Sequence, residues 1–150
     1  MPNEFPQTMI RVAGERKAQL EQFAASQGVS MSAALGKLVK AIQDQGLIDN
    51  GIPGVRIDRL SNGLAVAFDD HQPTGFSQDA AKQLAAVVRS FVDGTEQAKT
   101  VASIDNDYVV SRRGSAFTVA IPFVDGVKKT WGADLALEFA DLLEATANKA

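Results

Sequence analysis

The fold of the first third of the chain is decided by residues 6–35, which read PQTMIRVAGERKAQLEQFAASQGVSMSAAL. The opening seven residues of this stretch contain a predicted strand of at most six residues, with period-two alternation. One side of that strand would carry Thr8, Ile10 and Val12, and the other Gln7, Met9 and Arg11. The residues after it read as helix, so the N–H and C=O groups of the strand need a partner from outside this region.

Two amphipathic helices are predicted after the strand. The first covers 14–27, where apolar residues recur at helical spacing, and Gly28 ends it. The second starts after Ser30, a good N-cap residue, stops at Gly46, and has an apolar face of Leu35, Leu38, Val39 and Ile42. About 45 residues bury too little surface to be stable alone. The economical arrangement is a homodimer, in which two strands pair antiparallel and four helices share one core.

Residues from about 5 to 47 resemble the ribbon-helix-helix family of Arc- and MetJ-type repressors. The likeness is carried by the strand that contains Arg11, by Glu15, by Leu20 with the pair Phe23-Ala24, and by the turn Gly28-x-Ser30. It implies a β-α-α protomer that forms an intertwined dimer and binds double-stranded DNA.

The resemblance also implies which residues touch DNA. The outward side chains of the paired strands would enter the major groove. There Arg11 suits guanine, Gln7 suits adenine, and Met9 can contact a thymine methyl group. Phosphate would be held at the start of the second helix, where N–H groups and the helix dipole favour an anion, by Ser30, Met31 and Ser32.

Composition limits the class of protein. The net charge is −3, and residues 1–50 carry five basic against five acidic side chains, so attraction to phosphate is weak and non-specific DNA binding should be weak too. The sequence has no cysteine, which excludes disulfides and thiolate chemistry. The N-terminus lacks a signal-peptide pattern and no apolar run is long enough to span a membrane. We therefore expect a cytoplasmic protein with no membrane partner.

The second part of the chain contains an internal repeat. The turn-rich stretch 49–54, DNGIPG, separates a domain over 1–48 from one over 55–150. Each copy of the repeat, 55–94 and 107–148, reads as a hairpin followed by an amphipathic helix. The hairpins align at an offset of 53 residues and the helices at 55, which indicates two extra residues in the loop of the second copy. The predicted fold class is α+β, with the tandem ββα-ββα module forming one four-stranded antiparallel sheet and both helices on one face.

Few residues suggest chemistry. His71 lies beside Asp69 and Asp70, but one histidine with two adjacent acids is fewer ligands than a metal site requires. Asp105 and Asp107 read as turn residues, and no nucleotide-binding, hydrolase or protease motif occurs. Two basic pairs read as solvated loop charges and two aromatic residues as packing: Arg112-Arg113, Lys128-Lys129, Tyr108 and Trp131. The sequence therefore predicts no catalytic residue, no metal, no cofactor and no enzymatic activity.

The function predicted from these features is that of a sequence-specific transcriptional repressor, a homodimer or tetramer that occludes a palindromic operator. The resemblance suggests a plasmid or phage setting. One alternative is a protein-interaction module, such as an antitoxin or a relaxosome accessory factor, whose repeat binds a protein partner. Another is a nucleic-acid binder that uses the sheet, although residues 51–150 hold ten basic against thirteen acidic side chains. The repeat could equally supply oligomerisation or an effector site.

Overall fold

The computed structural model describes residues 7–149, which divide into two compact units, 7–50 and 51–149. The smaller unit is helical and the larger one combines two antiparallel sheets with two helices. Each unit is described by itself below.

The N-terminal unit is a pair of helices, α1 (Gly14–Gln27) and α2 (Met31–Asp44). Gly28 ends α1 in the left-handed conformation with φ 65°, which glycine adopts without steric cost. Two residues later the side chain of Ser30 accepts a hydrogen bond from the N–H of Ala33 at 3.1 Å and caps α2. The predicted start and end of α1 and the predicted start of α2 are confirmed.

The predicted N-terminal strand is wrong. Residues 7–13 form neither strand nor helix, so the unit begins α-α and not β-α-α. The physical reason is that a strand is held by hydrogen bonds to a neighbouring strand. No strand of the described residues pairs with this segment. Pro6, the first residue of the predicted strand, lies outside the described residues.

The C-terminal unit begins with β1 (Val55–Leu60), β2 (Gly63–Phe68), β3 (Thr74–Phe76) and helix α3 (Gln78–Asp93). It continues with a second series of elements: β4 (Thr100–Ser103), β5 (Tyr108–Arg113), β6 (Ala116–Ile121), β7 (Val127–Trp131) and α4 (Ala133–Asn148). The strands of the described residues form two antiparallel sheets, ordered β1-β2-β3 and β4-β5-β6-β7. The single four-stranded sheet predicted from the sequence is therefore wrong. It missed β3, β4 and β7, which are short and lie in stretches that read as loops.

The internal repeat is visible in the element bounds. Strands β1, β2 and β3 start 53 residues before β5, β6 and β7, and α3 starts 55 residues before α4. The two extra residues of the second copy extend β7, which has five residues where β3 has three. Strand β4 precedes the second copy, and the described part of the first copy has no strand in the corresponding place.

The two copies share one core. Helix α3 contacts β5 of the second copy as well as β2 of its own, and α4 contacts β1 of the first copy as well as β6 and β7. The helices also pack on each other, and Arg89 of α3 joins them by ion pairs to Asp141, at 2.8 Å, and to Glu144 of α4. The buried side chains at the centre include Val66, Phe68, Leu84, Val88, Phe91, Val110, Val119, Phe139 and Leu143.

We expect a fragment of residues 51–150 to fold by itself, because the large core cluster lies within it. Urea titration followed by circular dichroism should give one cooperative transition. Phe139 is fully buried, and Phe139→Ala should lower the free energy of unfolding of this fragment by about 3–5 kcal/mol. A gradual transition in the unsubstituted fragment would show that the core needs residues 1–50.

Candidate nucleic-acid interface

The segment predicted to contact bases is open to solvent. Gln7, Met9 and Arg11 are all exposed, and Met9 retains 95% of its accessible surface. Arg11 has no acidic partner among residues 7–149. Exposed side chains with unused donors and an unpaired charge can reach a base edge without first breaking an internal contact.

The start of α2 offers donors to an anion. Ser30 already bonds the next turn, since its carbonyl accepts the N–H of Ala34 at 2.9 Å and its hydroxyl accepts that of Ala33. The N–H groups of Met31 and Ser32 lie in the first turn of α2, where the helix offers no carbonyl one turn earlier. They have no backbone acceptor in the described part of the chain. The positive end of the helix dipole lies at the same place, so these two N–H groups could hold a phosphate oxygen.

Some of the basic side chains of the unit are already engaged. Lys40 pairs with Asp44 at 3.1 Å on the surface of α2, and Arg16 donates to the side-chain oxygen of Gln19 at 2.8 Å. Among the described residues Lys17 and Lys37 have no acidic partner. With Arg11, three exposed cations of the unit are thus available to phosphate.

The apolar face predicted for α2 is present but uncovered. Its four residues keep a large fraction of their surface: Leu35 44%, Leu38 38%, Val39 40% and Ile42 38%. The unit buries just two apolar side chains in the part of the chain that the structure describes, those of Ala24 and Ala34, together with Gln43. A stripe of this kind is typical of a helix that packs against another surface.

The polar loop with the single histidine does not bring together the ligands of a metal site. No group of three or more His, Cys, Asp or Glu residues that could hold a metal ion occurs in residues 7–149. Asp107, one of the acids read as turn residues, adopts a positive φ of 67° and accepts the N–H of Phe123 at 3.1 Å. Its role is to connect the β4–β5 turn to the loop that follows β6.

The prediction that Lys129 is a solvated loop charge is wrong, because Lys129 lies in β7 and forms a buried ion pair. Lys129 of β7 is 2% exposed, and its ammonium lies 2.7 Å from a carboxylate oxygen of Asp69, which follows β2. The alternation of β7 contains a signal for it, because Val127 and Trp131 point inward and Lys129 lies midway between them. Lys128, its neighbour, is exposed.

The other residues singled out in the sequence are mainly structural. Trp131 packs against Phe139 of α4 with ring centroids 5.0 Å apart, and against Phe68 at 5.9 Å. Tyr108 is buried and its hydroxyl donates to Gln83 at 3.1 Å; the burial raises the pKa of this hydroxyl. The guanidinium of Arg112 lies 5.8 Å from the ring centre of Phe91.

Comparison with protein-family models finds no match for this chain, and neither do comparisons with curated proteins and with solved structures. Within residues 7–149, no helix combines the length and the apolar composition that crossing a membrane requires.

We expect Lys129→Met to lower the free energy of unfolding by about 3–5 kcal/mol, because it leaves the carboxylate of Asp69 buried without its partner. Adding Asp69→Asn should recover part of the loss, since asparagine removes the charge and tolerates the φ of 53° at this position. Urea denaturation measures both. The control is Lys128→Met on the same strand, which should change stability by less than about 0.5 kcal/mol. Equal stability of Lys129→Met and wild type would contradict a structural role for the pair.

Proposed function

We propose that this chain is a DNA-binding regulator that acts as a homodimer through its N-terminal unit, with Gln7, Met9 and Arg11 contacting bases and the start of α2 contacting phosphate. The observation that carries the proposal is the combination of an uncovered apolar face on α2 with an exposed, unpaired Arg11 in the same small unit. The predicted strand pairing has no part in this proposal. The segment before α1 acts as an arm, and association occurs through apolar side chains.

The exposed apolar surface is large enough to support association. The exposed fractions of the four residues of the α2 face add up to about one and a half fully exposed residues in each copy. Burying one fully exposed apolar side chain is worth about 1.5–3 kcal/mol. Two copies would gain about 5–10 kcal/mol in this way, which is comparable to the cost of association. The arm adds Met9, Ile10 at 82% exposure and Val12 at 53%, so covering these as well tips the balance toward a stable dimer.

The proposed mechanism is occlusion of a promoter. A dimer with two-fold symmetry presents its two arms to two equivalent half-sites, so the operator should be a palindrome. Non-specific attraction is small because the described part of the unit has five basic against four acidic side chains. Specific contacts made by Arg11 and Gln7 therefore have to supply much of the discrimination.

Selection of bound fragments from random duplex DNA at about 0.1 M salt tests the proposal. Wild type should enrich a palindromic motif. Leu38→Asp, which places a charge on the α2 face, should enrich none because it breaks the N-terminal dimer that holds the two arms at a fixed spacing. Absence of enrichment by wild type across a range of salt concentrations would overturn the assignment of DNA binding.

We predict that Arg11→Ala weakens binding to the selected duplex at least about tenfold, because a bidentate contact with guanine is worth about 1–3 kcal/mol in each copy. Fluorescence anisotropy measures the affinity. The matched control is Arg16→Ala, since this arginine is also exposed but already bonded to Gln19. An equal loss in both variants would show that charge alone matters, and an unchanged affinity for Arg11→Ala would remove Arg11 from the interface.

A further inference from the structure

The internal repeat shows a difference at one edge of the two sheets. In the second copy the outer edge of β5 is covered by β4, with Val101 opposite Val110. Strand β1 is the counterpart of β5, 53 residues earlier, and in the described part of the chain it pairs with β2 alone. Within residues 7–149, the first copy thus has an uncovered strand edge at the place where the second copy has a fourth strand.

Backbone geometry identifies the groups on that edge. The β1–β2 hairpin closes with Leu60 opposite Gly63, so alternate residues of β1 bond β2, and those between them point their N–H and C=O outward. The second copy confirms the direction, because Arg112 donates its N–H to Lys99 at 2.9 Å, and Arg59 is the counterpart of Arg112. Ile57 and Arg59 therefore present both backbone groups to the open edge. Val55 presents its C=O, since its N–H already bonds Ile52 at 3.0 Å.

The side chains along the edge are charged and complementary. Arg56 and Asp58 lie on the outer face, 63% and 58% exposed, with 3.0 Å between their charged atoms within one strand. Ile57 lies between them on the inner, half-buried face. Charges of this kind protect an edge against arbitrary strands, but they also favour a partner that places opposite charges across the gap.

We propose that β1 pairs antiparallel with β1 of a second copy, with the two-fold axis passing through Ile57, so that the two three-stranded sheets join into one of six strands. In this register Arg56 of each copy lies opposite Asp58 of the other, which gives two ion pairs across the interface. The outward groups form four backbone hydrogen bonds, two between the Ile57 residues and two from Arg59 N–H to Val55 C=O.

The sequence of β1 selects this partner and this register. An axis through Asp58 would place two carboxylates directly opposite each other, and an axis through Arg56 would place two guanidinium groups opposite each other; both arrangements are unfavourable. The strand is thus complementary to itself in one register. This self-complementarity favours a second copy over an unrelated peptide as the occupant of the edge. This interface lies within residues 51–149 and does not depend on DNA binding.

Charge reversal tests the interface in the full chain. Sedimentation velocity of Arg56→Asp should show association through this edge weakened roughly tenfold or more, because two attractive pairs become repulsive. The double variant Arg56→Asp with Asp58→Arg should restore it. Lys128→Asp, an equal change of charge on an exposed position of β7, should leave the mass unchanged. The proposal is overturned if Arg56→Asp and wild type have the same mass over the whole concentration range.

Combining a substitution in β1 with one in the α2 face distinguishes the two interfaces. With both interfaces present the mass should exceed twice 15.9 kDa, Leu38→Asp or Arg56→Asp alone should reduce it to a dimer, and both together should give the 15.9 kDa monomer. If Leu38→Asp alone gives the monomer, the β1 interface is wrong and the N-terminal dimer stands. If Arg56→Asp alone gives the monomer, the β1 interface stands and the dimer of the proposed function fails.

Cysteine substitution tests the register. The chain has no cysteine of its own, so a single one reports without background. Ile57→Cys should form a disulfide between copies on mild oxidation, because residues opposite each other in an antiparallel pair have Cα atoms about 5.5 Å apart. Leu60→Cys on the same strand should not, since its two copies would lie about 20 Å apart. Crosslinking of Leu60→Cys with none of Ile57→Cys would exclude the register.

Discussion

The N-terminal unit has almost no core of its own, and this constraint determines how the unit can be stable. Between residues 7 and 50 the buried apolar side chains are Ala24 and Ala34, which let α1 and α2 approach but contribute little burial. The larger apolar side chains of α2 point to solvent along one stripe. A helix pair in this state gains most of its stability from whatever covers the stripe. Association of two copies is the simplest way to supply that cover, and it also duplicates whatever the arm can contact.

The C-terminal unit is built on the opposite principle. The two copies of the repeat pack against each other, because each helix lies against strands of both copies. The core is continuous through Phe68, Trp131 and Phe139. A hairpin with one helix would be marginal by itself. Two of them joined in this way enclose one continuous core, from which we expect the unit to fold without a partner. The additional strand β4 makes the two copies unequal, since no strand within residues 7–149 pairs with the outer edge of β1.

The parts of the fold that could be predicted from the sequence depend on local signals. Gly28 and Ser30 mark the end of α1 and the start of α2 because a left-handed residue and a side-chain cap act within a few residues. The repeat offsets also follow from pattern alone. The predictions that failed depend on distant partners. The segment 7–12 has the alternation of a strand, but no strand within residues 7–149 pairs with it, whereas Thr74–Phe76 is too short to read as a strand yet pairs with β2. The candidate site was less predictable still, since exposure of Arg11 and burial of Lys129 both depend on packing.

The central claim is that a second copy of the chain covers the α2 face and so stabilises the N-terminal unit. Hydrogen exchange of the intact chain at two protein concentrations tests this claim most directly. Amides of α1 and α2 should lose protection on dilution, because dissociation removes the cover of the α2 face. Amides of β5, β6 and α4 should keep their protection, since their core lies within one chain. Protection of α1 and α2 that is independent of concentration, and as strong as that of α4, would show that the unit is stable alone and would contradict the account.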